Sequence, residues 1–247
     1  TGAVSYLYYA ERIYYLPLSL IAIAISTVLI PNLSSAFRLN NISLALDTQS
    51  QAYKYCILTV VPITFCLIVL SNDIVEVLFQ RGEFTYESTL KASFVLKLFL
   101  IGLPFATLVK ILTPYFFALQ KPRIPLKVTI FTVLINLTLI TLLFQYIGYI
   151  GIPIGFSISA ILNLILILVE HRKQNFFFVN KKMVIYTFKY IILAMFLSAI
   201  LLTLNYFQIT TSILLIDLFL KIFLAAIIWV CSIYFFDKDI VRLLNKE

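Results

Sequence analysis

Charged residues are scarce in this 247-residue chain. They make up 12% of it, whereas hydrophobic residues make up 62%. An average soluble domain is about one quarter charged and about half apolar. A water-soluble fold cannot bury so much apolar surface, and this excludes a soluble globular protein.

Residues that carry chemistry are also few. His171 is the only histidine, so no zinc site or histidine-based triad can be assembled, and we expect it to be solvated in a basic loop. The six glycines are dispersed and no Gly-Lys-Ser/Thr occurs, which argues against a phosphate-binding loop. Cys56, Cys66 and Cys231 lie in apolar runs without metal-ligand spacing. We therefore expect no enzymatic activity, no cofactor and no metal site.

Long apolar runs dominate what remains. A membrane-spanning helix needs about 20 predominantly apolar residues. Seven runs meet this requirement: 4–36, 53–70, 92–119, 124–145, 150–169, 184–204 and 213–236. Residues 71–90 instead alternate apolar and charged, which predicts a surface helix with a turn at Gly82. The sequence thus predicts an all-α, polytopic transmembrane helix bundle of about seven spans.

The basic residues indicate topology rather than nucleic-acid binding. The net charge is +8, but the 19 basic residues are scattered between apolar runs and form no continuous basic face. They concentrate in alternate links, and cytoplasmic loops carry the excess of Lys and Arg. This predicts an external (periplasmic) amino terminus, a cytoplasmic carboxyl terminus and an odd number of spans. Tyrosines then fall at the predicted outer interface, at positions 6, 8, 9, 14 and 15.

Two ionisable residues, Glu11 and Arg12, directly precede a long uncharged stretch of the first helix. Arginine suits bidentate phosphate recognition, and an ionisable group in a spanning helix is a functional hypothesis by default. Arg12 also stands roughly 28 Å from Pro31 at 1.5 Å per residue, which fits an interfacial anchor equally well. Geometry alone leaves both interpretations open.

Further ionisable residues lie in other apolar runs. Lys97 and Lys110 could add positive charge to a polar cavity, or their stems could snorkel to a membrane face. Lys54 begins the second apolar run, where an ordinary cytoplasmic anchor is the simpler interpretation. Asp217 and Lys221 are spaced i, i+4, so mutual neutralisation explains them, and a proton or ion relay is the alternative.

Several segments together resemble the MurJ (MviN) family of lipid II flippases. They are Tyr8-Tyr9-Ala10-Glu11-Arg12 with Leu16-Pro17-Leu18, then Leu29-Ile30-Pro31-Asn32-Leu33-Ser34, then Leu78-Phe79-Gln80-Arg81-Gly82-Glu83-Phe84-Thr85, and finally Lys110, Pro114, Phe116, Gln120, Pro125 and Lys127. The resemblance covers residues 4–172, whereas the last two helices match only in number and hydrophobicity.

The resemblance implies an architecture larger than this chain. The family has fourteen helices in two lobes and belongs to the superfamily of multidrug and polysaccharide (MATE/MOP) exporters. Residues 1–172 would form its second lobe without that lobe's first helix, and residues 173–247 two further helices with a basic cytoplasmic tail. The chain starts without Met, so we expect a fragment whose partner is the amino-terminal lobe.

The resemblance also implies a function and a site. Lipid II would be moved from the inner to the outer leaflet of the bacterial inner membrane by alternating access. Arg12 would bind the substrate with Glu11 orienting it, and Lys110, Lys97 and Lys54 would assist. The last two helices would hold the undecaprenyl tail among membrane lipids. Some members are described as sodium-coupled through an acidic residue in the helix that matches residues 124–145. Here residues 124–169 contain no Asp or Glu, although Asn136 and Asn163 are present.

Other functions remain open at the level of sequence. A related exporter could carry another polyprenyl-linked oligosaccharide or a drug. A membrane enzyme would need a clustered acid, base or nucleophile, and the only acidic cluster, expected to be a solvated surface helix, comprises Asp73, Glu76, Glu83 and Glu87. An inactive or noncatalytic membrane fragment is the third alternative.

Overall fold

The computed structural model describes residues 2–174, 176, 181–206 and 214–236. Within these ranges the secondary structure is helical, which confirms the predicted all-α class. The α-helices are α1 (Ala3–Arg38), α2 (Ile42–Val69), α3 (Ser71–Phe79), α4 (Tyr86–Ala118), α5 (Arg123–Ile147), α6 (Gly151–Lys173), α7 (Lys181–Tyr206) and α8 (Leu214–Phe236). A short 3-10 turn, Gly148–Ile150, joins α5 to α6.

Six continuous helical segments are long and apolar enough to cross a membrane. One of them, Arg123–Lys173, contains both α5 and α6. At 1.5 Å per residue these two helices are about 37 and 34 Å long, so each can cross about 30 Å of hydrocarbon. Counting them separately confirms the seven predicted spans, and the chain is a multi-pass membrane protein.

Glycines allow α5 and α6 to pack as a tight antiparallel hairpin. Gly148 begins the connecting turn with a φ of +63°, a conformation that glycine adopts without strain. A Cβ atom on Gly151 would lie 2.7 Å from the backbone of Leu143, and one on Gly155 would lie 2.9 Å from Ile140. Larger side chains at these two positions would separate the helices.

The core forms around α4, which packs against α1, α2, α3 and α6. Tyr14 of α1 is fully buried there, and its ring contacts those of Phe99 and Phe156. The prediction that Tyr14 is an interfacial ring is therefore wrong. Helical periodicity points one side of α1 at α4, so only some of the tyrosines in this cluster face outwards.

The second helix begins well before its apolar run. It starts at Ile42, and the Asn41 side chain caps it by accepting a hydrogen bond from the Leu44 amide at 3.0 Å. Gln49 lies between the predicted apolar runs 4–36 and 53–70, where the sequence predicts a polar link. It is instead a buried residue of α2 and donates from Nε2 to the Ile111 carbonyl at 3.2 Å. The link between α1 and α2 is only residues 39–41, because a polar side chain that has a buried partner can belong to a packed helix.

His171 lies in a buried helix end rather than in the predicted solvated loop. It lies in the last turn of α6 and is only 1% exposed. Its Nε2 is 3.1 Å from the Leu112 carbonyl oxygen, and its ring lies against Tyr115, Phe116 and Phe176. The expectation of a solvated loop residue is wrong because the aromatic surface of α4 covers this end of α6.

Helices α4 and α6 approach closely at Gly102. A Cβ there would lie 2.9 Å from Ser157 Oγ and 3.0 Å from Ser157 Cα, while the Ser157 hydroxyl donates to the Leu98 carbonyl at 2.7 Å. We expect Gly102→Val to lower the free energy of unfolding by about 1–3 kcal/mol through overpacking. Denaturant titration of helicity in micelles measures this, with Ile101→Val as the exposed control. Equal stability of the two variants would contradict the close approach.

Candidate functional site

Arg12 lies in an open polar pocket on one face of α1. The pocket is lined by Tyr8, Glu11, Arg12, Tyr15, Leu16 and Ser19. A guanidinium nitrogen of Arg12 donates to the Tyr8 hydroxyl at 2.9 Å, and the guanidinium carbon is 4.8 Å from the centre of the Tyr8 ring. The i, i+4 spacing of the two residues places them one above the other on the helix.

Arg12 remains available to an anion. Neither Arg12 nor Glu11 forms an ion pair with any residue in the described part of the chain, and both are exposed. The contact that holds the guanidinium comes from Tyr8, which leaves most of its five N–H donors unused. Such a fork matches a phosphate in geometry and in charge.

A second polar cavity adjoins this pocket. We call it the Lys110 cavity; it measures about 390 Å³ and lies between α1, α4, α5 and α6. Its polar lining residues are Tyr15, Lys110, Thr113, Thr129, Thr132, Asn136, Ser159 and Asn163. Tyr15 belongs to both lining sets, so the two pockets adjoin at this residue. The fold therefore brings these two predicted cations to adjoining polar pockets.

The other two lysines lie elsewhere. Lys97 is half-buried on α4, roughly 20 Å along the helix from Lys110. Lys54 is exposed on α2, and its Nζ is 5.8 Å from the centre of the Tyr186 ring of α7. Measured along the helix axes, Lys54 lies roughly 21 Å closer than Arg12 does to the short turn between α1 and α2. The structure thus does not bring Lys54 to the Arg12 pocket.

An apolar groove of about 410 Å³ runs between α2, α7 and α8. Its walls include Leu58, Pro62, Leu197, Ala226 and Trp229, and Ile74 of α3 contributes at one end. The indole Nε1 of Trp229 donates to the Leu58 carbonyl at 3.2 Å. The groove is therefore an almost wholly apolar surface beside the bundle.

A buried ionic cluster ties α8 to α3. Lys221 is 5% exposed and Asp217 6% exposed, and they pair through Asp217 Oδ2 at 2.5 Å. Lys221 Nζ also lies 3.2 Å from Oδ2 of Asp73. The i, i+4 pairing of Asp217 with Lys221 was visible in the sequence, but Asp73 is 148 residues away and no local pattern connects it to them.

The acidic residues of segment 71–90 do not converge. Asp73 is bound to Lys221, Glu83 is exposed, and Glu87 pairs with Lys91 on α4 at 2.6 Å. Residues 71–79 form a short helix followed by a turn at Gly82, as predicted, but residues 86–90 belong to α4. The expectation that Asp73 is solvated is wrong because Lys221 of α8 covers and binds it. Across the described ranges, no group of three His, Cys, Asp or Glu side chains is arranged to hold a metal ion.

Comparison with known proteins gives a consistent match. A family model described as "Lipid II flippase MurJ" matches residues 1–224. A probable lipid II flippase MurJ of Rickettsia prowazekii (strain Madrid E) is 40% identical over 174 residues, 70% of this chain and 34% of the relative. The corresponding protein of Rhizobium meliloti (strain 1021) is 36% identical over 166 residues, 67% of this chain and 31% of the relative.

One solved structure shares the fold of nearly the whole chain. It is described as lipid II flippase MurJ in an inward closed conformation, with a TM-score of 0.83, 22% identity, and coverage of 98% of this chain and 48% of that chain. The chain therefore spans about half of that structure and about a third of the length of the curated relatives named above.

Proposed function

Because this chain belongs to the lipid II flippase MurJ family, we propose that it forms the cavity-lining portion of a flippase for lipid II. The substrate would pass from the inner to the outer leaflet by alternating access. The function is transport, so no bond of the substrate needs to be broken. The observation that carries the proposal is that Arg12, which forms no ion pair within the described residues, lies in an open pocket that adjoins the Lys110 cavity at Tyr15.

The charge of this surface suits a lipid-linked diphosphate. Hydrocarbon cannot solvate a diphosphate, so the protein must supply cationic donors around a polar path. Arg12 and Lys110 provide two such cations on adjoining surfaces, and we assign the diphosphate to them. Glu11 lines the Arg12 pocket without forming an ion pair to Arg12, which leaves it free to orient the substrate. Lys97 and Lys54 are weaker candidates for substrate binding, since no contact in the structure joins them to this surface.

The apolar groove beside α8 suits the other end of the substrate. A polyprenyl tail needs a long apolar surface that remains accessible from the lipid phase. We propose that the groove between α2, α7 and α8 accepts this tail, as the family resemblance implies for the last two helices. Residues 1–172 would then form the lobe proper and residues 173–247 the tail-binding addition.

The distribution of basic residues supports one orientation in the bacterial inner membrane. Links rich in Lys and Arg lie on the same side as the turn between α1 and α2. We propose that this side is cytoplasmic, with the amino terminus of the chain periplasmic and the carboxyl terminus cytoplasmic. The opposing wall of the cavity would come from an amino-terminal lobe, the proposed partner.

The test is leaflet translocation of lipid II in cells depleted of their own flippase. Three conditions are compared: no added protein, this chain alone, and this chain with its presumed amino-terminal half. We expect translocation only with the pair, because a substrate path needs both walls. A stably inserted pair that restores no translocation would contradict the proposal and favour an exporter of another substrate.

A further inference from the structure

Three buried oxygen atoms in the Lys110 cavity have no hydrogen-bond partner in the part of the chain that the structure describes. They are Oδ1 of Asn136, Oδ1 of Asn163 and Oγ of Ser159. All three residues line the cavity together with Lys110. A buried polar atom without a partner costs free energy, so a rotation of these side chains that turns the atoms towards hydrogen-bonding groups of a ligand in the cavity would be favourable.

The depth of these atoms strengthens this argument. Asn136 lies roughly 20 Å from the start of α5, and Asn163 roughly 18 Å from the start of α6, so both are near the middle of their helices. Polar groups at the middle of the membrane seldom face lipid; they more often face a cavity or an interface that serves a function. Transporter substrates also bind near the midplane.

The kind of atom decides the kind of ligand. The asparagine amide donates from Nδ2 and accepts at Oδ1, and the serine hydroxyl does both, so a ligand that satisfies all these atoms must present O–H or N–H donors as well as acceptors. A fully ionised diphosphate presents acceptors and would suit Lys110 instead. A bound metal cation would be opposed by the ammonium group of Lys110 in the same cavity. A saccharide bearing hydroxyl and amide groups supplies the missing donors.

We infer that Asn136, Asn163 and Ser159 form a subsite for the uncharged saccharide part of the lipid headgroup. The inference rests on the proposed function and adds that different residues bind the diphosphate and the saccharide of the headgroup. The diphosphate would lie against Arg12 and Lys110, and the saccharide against the two amides and the serine. Tyr15, which lines both cavities, marks the boundary between the two regions.

Binding of two probes to this chain assembled with its presumed amino-terminal half in lipid nanodiscs tests this subsite. The probes are lipid II and undecaprenyl diphosphate, which share the diphosphate and the tail but differ in the saccharide and peptide. We expect the double variant Asn136→Leu with Asn163→Leu to lose about tenfold or more of the affinity for lipid II. Its affinity for undecaprenyl diphosphate should change less than about twofold.

Matched controls separate recognition from folding. Thr138→Val with Thr141→Val alters two exposed α5 threonines whose hydroxyls bond to their own helix, and neither affinity should change. Ser159→Ala makes a smaller change in volume and should weaken lipid II binding alone, which keeps the inference testable if the double variant does not fold. Far-ultraviolet circular dichroism and size exclusion verify folding.

Two results would overturn the subsite while the proposed function stands. One is unchanged affinity of a folded double variant for lipid II. The other is an equal loss for both probes, which would assign the amides to the diphosphate or to the packing of the cavity. Failure of the unsubstituted pair to bind lipid II would overturn the proposed function itself, and the subsite with it.

Discussion

Replacing Arg12 with alanine is expected to reduce lipid II translocation by about tenfold to a hundredfold when the chain is expressed with its amino-terminal half. A hydrogen bond to a charged group contributes about 1.5–3 kcal/mol, and each 1.4 kcal/mol is a factor of ten. The loss follows because, among the described residues, only Tyr8 is shown accepting a hydrogen bond from the guanidinium, which leaves its other donors for the diphosphate. Leaflet-specific detection of lipid II measures the rate.

Further variants separate the contribution of the Arg12 charge from that of its guanidinium geometry. Arg12→Lys keeps the charge but loses the fork, so we expect an intermediate rate. Tyr8→Phe keeps the ring and removes the hydroxyl that accepts from Arg12, and we expect a smaller loss. Arg38→Ala changes an exposed arginine at the other end of α1 and serves as the control. A normal rate in a well-inserted Arg12→Ala protein would remove Arg12 from the site.

Lys221→Met is expected to cause the largest loss of stability. It removes the only ammonium group shown between Asp73 and Asp217 and leaves their carboxylates without that counter-charge. Breaking a buried ion pair by deleting one partner costs about 3–5 kcal/mol. The lost ion pair weakens the attachment of α8 to α3, and α8 also contacts α2 and α7.

The single tryptophan reports this change directly. Trp229 lies on α8 and donates to the Leu58 carbonyl, so its fluorescence follows the departure of α8 from α2. During denaturant titration we expect the Trp229 signal of Lys221→Met to change well before total helicity does. Asp73→Asn keeps the pair of Asp217 with Lys221 and should cost less. Lys91→Met breaks an exposed pair and is the control, since such pairs contribute about 0–1 kcal/mol.

Much of the fold could be predicted because spanning helices are encoded locally. The predicted run 213–236 agrees with α8 at Leu214–Phe236, and the run 124–145 lies within α5. The start of α2 was missed because its first turns are polar, and only the Asn41 cap signals them. A hydropathy pattern detects lipid-facing and core-facing residues but not polar turns that continue a helix beyond the membrane.

The candidate site was only partly predictable. Arg12 and Lys110 were identified as unusual charges in apolar runs, and the fold brings them to adjoining cavities. Lys54 had the same appearance in the sequence and lies against α7 instead. Asn136 and Asn163 were mentioned in the sequence analysis only as the polar residues of a stretch without Asp or Glu. No role was predicted for them, because nothing in the local sequence shows whether an amide in a membrane helix has a hydrogen-bond partner.

The sequence by itself determined how many helices cross the membrane, where charge is scarce, and which segment forms the surface helix. These properties depend on residues close together in the chain, since a hydrophobic run or a cap acts over one or two helical turns. Only the tertiary structure decided that His171 is buried, that Asp73 binds Lys221, and that the polar residues of α4, α5 and α6 enclose one cavity. Those contacts depend on how helices rotate and cross, and that is set by packing between residues far apart in sequence.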